Sequence, residues 1–209
     1  MTNERLIQHF MEMVQIDSET KNERAMADYL LNDLKAQGIE AFEDDSASRS
    51  GHGAGNIIAT LPGNEDRSPI FFTCHMDTVT PGKGIRPEIR EDGYIYSDGT
   101  TILGADDKAG LAALLEAVRV IQEENIPHGP VQLVITAGEE NGLQGAKAMD
   151  PQLLNAKYGY AIDSTEPVGG IVTSAPFQTK FQITIQGKTA HAGVAPEKGL
   201  SAITLAAKA

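Results

Sequence analysis

At 209 residues and 41% hydrophobic, the chain is long enough to bury a full core as one large domain, or as one domain with part of another. Its net charge of −12 disfavours nucleic acid and anionic membrane as partners, since both reward lysine and arginine. Cys74 is the sole cysteine, which excludes an intramolecular disulfide and a thiolate zinc knuckle, so a bound metal must rest on histidine and carboxylates. No apolar run approaches the roughly 20 residues that cross a bilayer, and the polar start carries no apolar leader, so a cytoplasmic address is expected.

In chain order, Leu6, Ile7, Phe10, Met13 and Val14 follow helical spacing, as do Ala25, Met26, Tyr29, Leu30 and Leu34, which end at Gly38. Extended segments are expected at 39–42, 56–61 and 70–74, with Pro62-Gly63 as a turn, and a polar hairpin over 85–98 around Asp92-Gly93. Leu111, Leu114, Leu115, Val118 and Ile121 predict a long amphipathic helix over 107–124, entered from the acidic turn Gly104-Ala105-Asp106. Strands at 131–136 and 159–162 flank a short helix near 143–149. Alternating strands and helices define an α/β sheet with helices on both faces, whose binding crevice lies at the carboxyl ends of its strands. After about Ala175 the pattern changes. Residues 177–186 alternate as a half-exposed strand with an edge that suits a second subunit, and a helical stretch runs on from Lys198 to the last residue, Ala209. A large domain over 1–175 and the start of a smaller α+β domain over 176–209 are therefore expected, the last helix reading as cut rather than ended.

Charged groups collect where strands stop. His75-Met76-Asp77 closes the apolar run 69–74, and Glu139-Glu140 follows 131–136. Like charges side by side at the ends of buried strands repel, and a multivalent cation between them relieves the repulsion. Residues two apart in a strand share a face, so Asp77 is expected to hold the His75 ring by its carboxylate and leave the other nitrogen free for metal. Asp106, where a loop enters a helix, is placed to bridge two ions or to cap the helix. Adjacent Glu139 and Glu140 are not expected to reach one atom together, which favours a ligand and a base. Asp163 adds a hard oxygen ligand, and Asp107 reads as a cap or a support. Cys74, facing away from His75, reads as core; Lys108 as an offset to the acidic turn; His9, His52 and His128 as surface. Taken singly each pattern has an ordinary structural explanation: a strand-end hydrogen bond, a helix cap, a solvated turn.

The ordered series is more specific. Gly55-Asn56, Pro62-Gly63, His75-Met76-Asp77-Thr78, Leu103 to Gly110, Gly138-Glu139-Glu140, Asp163 and Ala190-His191-Ala192-Gly193 with Pro196-Glu197 resemble the co-catalytic zinc peptidases of the M20 type, and within them the peptidase T family of tripeptide aminopeptidases. The resemblance implies a mixed sheet with helices on both faces, followed by a lid domain through which two subunits pair. It implies that His75, Asp106 and Asp163 hold one Zn2+, that Asp106 and Glu140 begin a second site, that Glu139 is the general base with Asp77 behind His75, and that His191 reaches the substrate carbonyl. It also implies a cis peptide between Asp106 and Asp107. The family completes the second site with a histidine that no residue here matches, so one complete and one incomplete zinc site are expected. The substrate is expected to be a short peptide cut from its amino terminus. A deacylase acting on N-acyl amino acids, or a non-catalytic metal- or peptide-binding fragment, stands as the alternative.

Overall fold

The structure is a computed structural model describing residues 2–165, 167–177, 179 and 181–208. The chain divides into two compact units, Met1–Thr165 and Glu166–Ala209. In the first, helices α1 (Thr2–Val14) and α2 (Arg24–Ala36) precede strand β1 (Glu40–Glu43), a short helix α3 (Ser46–Ser50), and strands β2 (Ile57–Leu61) and β3 (Ile70–His75). The hairpin β4 (Glu88–Ile89) and β5 (Ile95–Tyr96) turns at Asp92-Gly93, where Gly93 takes φ +83° and the Asp92 carboxylate accepts from the Tyr94 N–H. Helix α4 (Ala105–Glu123), strand β6 (Val131–Thr136), helix α5 (Gln144–Ala148) and strand β7 (Gly159–Ala161) complete the unit.

The expected α/β fold is present as a five-stranded mixed sheet in the order β1-β2-β6-β3-β7. Strand β6 is the pivot. It runs antiparallel to β2, with Ala59 opposite Leu133, and parallel to β3, with His75 opposite Thr136. Strand β7 adds to β3 in parallel. The parallel connection from β3 to β6 passes through α4, as a crossover requires. All six β6 residues are buried. One face, Val131, Leu133 and Ile135, joins Ile57, Ala59 and Leu61 in a core shared with α1, α2 and α4. The other carries Gln132, Val134 and Thr136, and the Gln132 amide binds the Leu153 carbonyl and the Asn155 N–H. The alternation thus buries both faces, as a central strand must.

One helix was not expected, and two expectations fail in the second unit. Helix α3 has no apolar periodicity to announce it; Ser46 and Asn56 converge on the Asp44 carboxylate, so polar bonds rather than burial fold this stretch. In the second unit, the expected strand over 177–186 does not form among the described residues, and Gln178 and Lys180 lie outside them. Phe177, Phe181 and Ile183 are exposed. Alternation makes a strand only where a neighbour supplies ladder hydrogen bonds, and the edge expected to receive a second subunit is not built. The unit is instead organised by a bridge between Lys188 and Leu200, a 3-10 turn Pro196–Lys198, and a short helix α6 (Ala202–Ala206) capped by the Ser201 hydroxyl. The expected helix from Lys198 therefore starts four residues later; Ala209, the last residue of that expected stretch, lies outside the described residues.

Candidate metal centre

The parallel strands β6, β3 and β7 end side by side, and the charged residues that follow them meet at that edge. His75 is the last residue of β3 and 2% exposed. Two residues past β7 comes Asp163, and three past β6 comes Glu139. Asp106 lies at the start of α4, where Asp106 and Asp107 depart from helical angles and the bond joining them is cis, as the resemblance implies. One ligand atom from each of His75, Asp106 and Asp163 lies within 4.8 Å of the others, and the same holds for His75, Glu139 and Glu140.

The His75 ring is oriented from behind. Its Nδ1 lies 2.8 Å from the Asp77 main-chain carbonyl, which accepts only, so Nδ1 carries the proton. The Asp77 carboxylate, expected to hold this ring, is 3.5 Å from Nδ1. It turns instead to the β6 side, accepting from the Glu139 N–H at 2.9 Å, the Glu140 N–H at 3.3 Å and the Thr20 hydroxyl at 2.8 Å. The chain leaves strand geometry after His75, so two-residue alternation no longer sets where Asp77 points. Burial pushes the wholly buried Asp77 carboxyl up, yet the His75 ring first, then the Glu139 N–H and the Thr20 hydroxyl, outweigh it and hold the group below its ordinary pKa.

Nε2 of His75 faces Asp106 Oδ1 at 3.0 Å and Asp163 Oδ2 at 3.9 Å. In the neutral ring this nitrogen is a lone pair aimed at carboxylates, an arrangement stabilised only by a positive charge between them. Burial opposes charging the ring, yet Asp77, Asp107 and Asp106 overcome it and push His75 up to about 10. Glu139, Glu140 and Asp163 are all held above ordinary carboxylate values, first by burial and then by one another and Asp106, with His75 opposing. Asp107, also 4% exposed, is pushed by burial to about 7 while its carboxylate accepts the His75 N–H at 3.2 Å. One imidazole nitrogen among hard oxygens, with His75, Glu139, Glu140 and Asp163 all biased toward taking up a proton, is a donor set that fits a divalent cation such as zinc.

Both glutamates reach the His75 side of the crevice. They sit in a turn rather than a strand, opened by Gly138 at φ +64° and held by Asp77 through successive N–H groups, so neighbouring side chains can converge. Asp107 is the expected support. Cys74 is core, its thiol pushed well up by burial and then by Asp107. Lys108 does not offset the acidic turn: it is wholly buried, and its Nζ donates to the Ile16 carbonyl at 2.8 Å. His9 and His52 are buried as well, at 4% and 8% exposure, rather than on the surface. His52 packs against Gly138, and Thr20 holds Asp77. Apart from Gly51 and Gly53 beside His52, nothing local marked these residues. In the second unit, His191 Nδ1 accepts from the Gly193 and Val194 N–H groups at 3.2 and 3.1 Å, which leaves the ring proton on Nε2.

A buried histidine at a parallel strand end, met by carboxylates from two neighbouring strand ends and from the start of α4, makes a candidate divalent-cation centre in an α/β fold. The sequence model of Peptidase family M28 matches residues 56–204, and the chain belongs to that family. Several curated relatives carry the name Peptidase T. An aminopeptidase PepT from Bacillus cereus is 58% identical over 98% of this chain and 55% of its own, with a TM-score of 0.81. A tripeptidase from Staphylococcus aureus is 46% identical over the same shares, with a TM-score of 0.83. Among curated proteins, Bacillus subtilis YqjE, described as uncharacterized, is 56% identical over all of this chain and 56% of its own length. The chain spans about half the length of the relatives it matches.

Proposed function

We propose that this chain carries the zinc site of a cytoplasmic peptidase that hydrolyses short peptides from their amino terminus. The observation that supports it most is the meeting of His75 with Asp106 and Asp163, and with Glu139 and Glu140, where three adjacent strand ends face the start of α4. The likeness to proteins named PepT and tripeptidase supports the choice of short peptides. His75, Asp106 and Asp163 would hold one ion, and Asp106 and Glu140 the near side of a second. Zinc held there supplies a Lewis acid that polarises the scissile carbonyl and makes water more acidic. Glu139, raised above its ordinary pKa yet free of any ring to orient, takes the proton of the attacking water and returns it to the leaving amine. Asp77 fixes the His75 tautomer through its carbonyl and the Glu139-Glu140 turn through its carboxylate. The protonated Nε2 of His191 suits a donor to the substrate carbonyl oxygen.

The test is elemental analysis beside a substrate panel. Wild-type protein is expected to hold at least one tight zinc and to cleave tripeptides in preference to N-acyl amino acids. Glu139→Gln should keep the zinc and lose about 10²–10⁴-fold in kcat. Hydrolysis of N-acyl amino acids alone would replace the peptidase with a deacylase, and wild-type turnover in Glu139→Gln would remove the base from its role.

A further inference from the structure

Ahead of α2, the chain over 16–20 crosses the edge that carries the candidate centre, and it is tied there at several points. The Lys108 ammonium, 92 residues beyond Ile16 and wholly buried, donates to the Ile16 carbonyl. Asp17 and Glu19 accept from the Gly84 and Gly82 N–H groups at 2.7 and 2.8 Å. Thr78 donates its N–H to the Ser18 carbonyl and accepts the Thr20 N–H, both at 3.0 Å, so Glu19 and Thr78 form a parallel bridge. The Thr20 side chain finishes the segment. Its hydroxyl lies 2.8 Å from Asp77 Oδ2 and 3.4 Å from the Thr78 carbonyl, and the shorter contact takes the proton.

We propose that Thr20 is a positioning residue for the metal centre, acting through Asp77, and that 16–20 is the brace that presents it. The inference rests on the zinc reading of the site. Asp77 is 0% exposed, so its carboxylate has no solvent to supply a missing donor. Oδ1 is satisfied by the Glu139 N–H at 2.9 Å, whereas Oδ2 depends on the Thr20 hydroxyl, the Glu140 N–H being longer at 3.3 Å. With the hydroxyl removed, Oδ2 is left underbonded. The carboxylate then rotates toward the remaining N–H or toward Nδ1 of His75, 3.5 Å from Oδ1. Either movement disturbs two elements of the site at once, the imidazole and the glutamate turn. The main-chain bonds of the brace do not depend on the Thr20 side chain, so the fold should persist without it.

The experiment compares Thr20→Val, which keeps the shape and deletes the hydroxyl, with Thr20→Ser, which keeps the hydroxyl. Zinc affinity is measured by competition with a chelator, thermal unfolding is followed in metal-free protein, and tripeptide hydrolysis is split into kcat and KM. Thr20→Val is expected to weaken zinc binding about 10–100-fold and to lower kcat with little change in KM, the metal-free protein still unfolding cooperatively with its melting point a few degrees lower. Thr20→Ser should recover most of both losses. Wild-type zinc affinity in Thr20→Val, or equal losses in the valine and serine variants, overturns the role of the hydroxyl while leaving the zinc site standing. A wild-type protein that binds no zinc overturns the site and this inference together.

Discussion

Gly138→Ala is a demanding test of how the glutamate turn is held. At φ +64° an alanine pays the left-handed penalty, about 1–2 kcal/mol. Its Cβ would lie 2.6 Å from His52 Cδ2 and 2.7 Å from Cε1, and closer still to Nε2. His52 is buried, with neither ring nitrogen bonded among the described residues, so no hydrogen bond fixes the ring, yet the packing around it leaves it little room to retreat. Overpacking of this kind costs about 1–3 kcal/mol more. The whole substitution should then cost about 2–5 kcal/mol. In a His52→Ala background the second part disappears, and Gly138→Ala should cost only about 1–2 kcal/mol, a coupling of about 1–3 kcal/mol. Because the chain lacks tryptophan, far-UV circular dichroism in a urea titration is the suitable readout. An equal cost of Gly138→Ala in both backgrounds would refute the contact as the source of the strain.

Further outcomes follow from other parts of the molecule. Asp163→Asn should abolish tight zinc binding, while Glu140→Gln should leave one zinc in place, both read by elemental analysis after dialysis; loss of all zinc in Glu140→Gln would reverse the assignment of the first site. Burial holds His9 below its ordinary pKa of 6.5, with Arg119 acting in the same direction and Asp33, Glu12 and Glu116 opposing. The unfolded chain therefore takes up the proton first, so stability is expected to fall as pH drops below about 6.5 toward the folded value, and His9→Gln should flatten that slope in urea midpoints. Leu115, fully buried in α4, should cost about 2–5 kcal/mol as Leu115→Ala in the same titration, and a loss below about 1 kcal/mol would mean that the core collapses onto the vacancy.

The strands and the long helices were legible because burial leaves a periodic trace. Strand β6 was bounded correctly from 131–136, and α4 from the spacing of Leu111, Leu115 and Val118. His75, Asp106, Glu139, Glu140 and Asp163 were legible as candidates because each follows an apolar run or opens an apolar helix, where charge is conspicuous. Thr20, Lys108 and His52 were not. Thr20 and its partner Asp77 are 57 residues apart, and Lys108 and Ile16 are 92 apart, so nothing local distinguishes either from a solvated side chain. The orientation of Asp77 was missed for a related reason: alternation holds only while the strand lasts, and β3 ends at His75. The second unit shows the opposite failure, with a clear period over 177–186 and no ladder partner to convert it into a strand among the described residues.

The Glu139-Glu140 turn is gripped through its amide groups, by the Asp77 carboxylate, rather than through its own side chains. Position and identity are thereby uncoupled. A carboxylate, a carboxamide or a shorter acid placed at either residue would inherit the same address without any refolding of the loop. Descendants of such a site are free to exchange one chemistry for another by single substitutions, while a change at the buried anchor would displace both neighbours together.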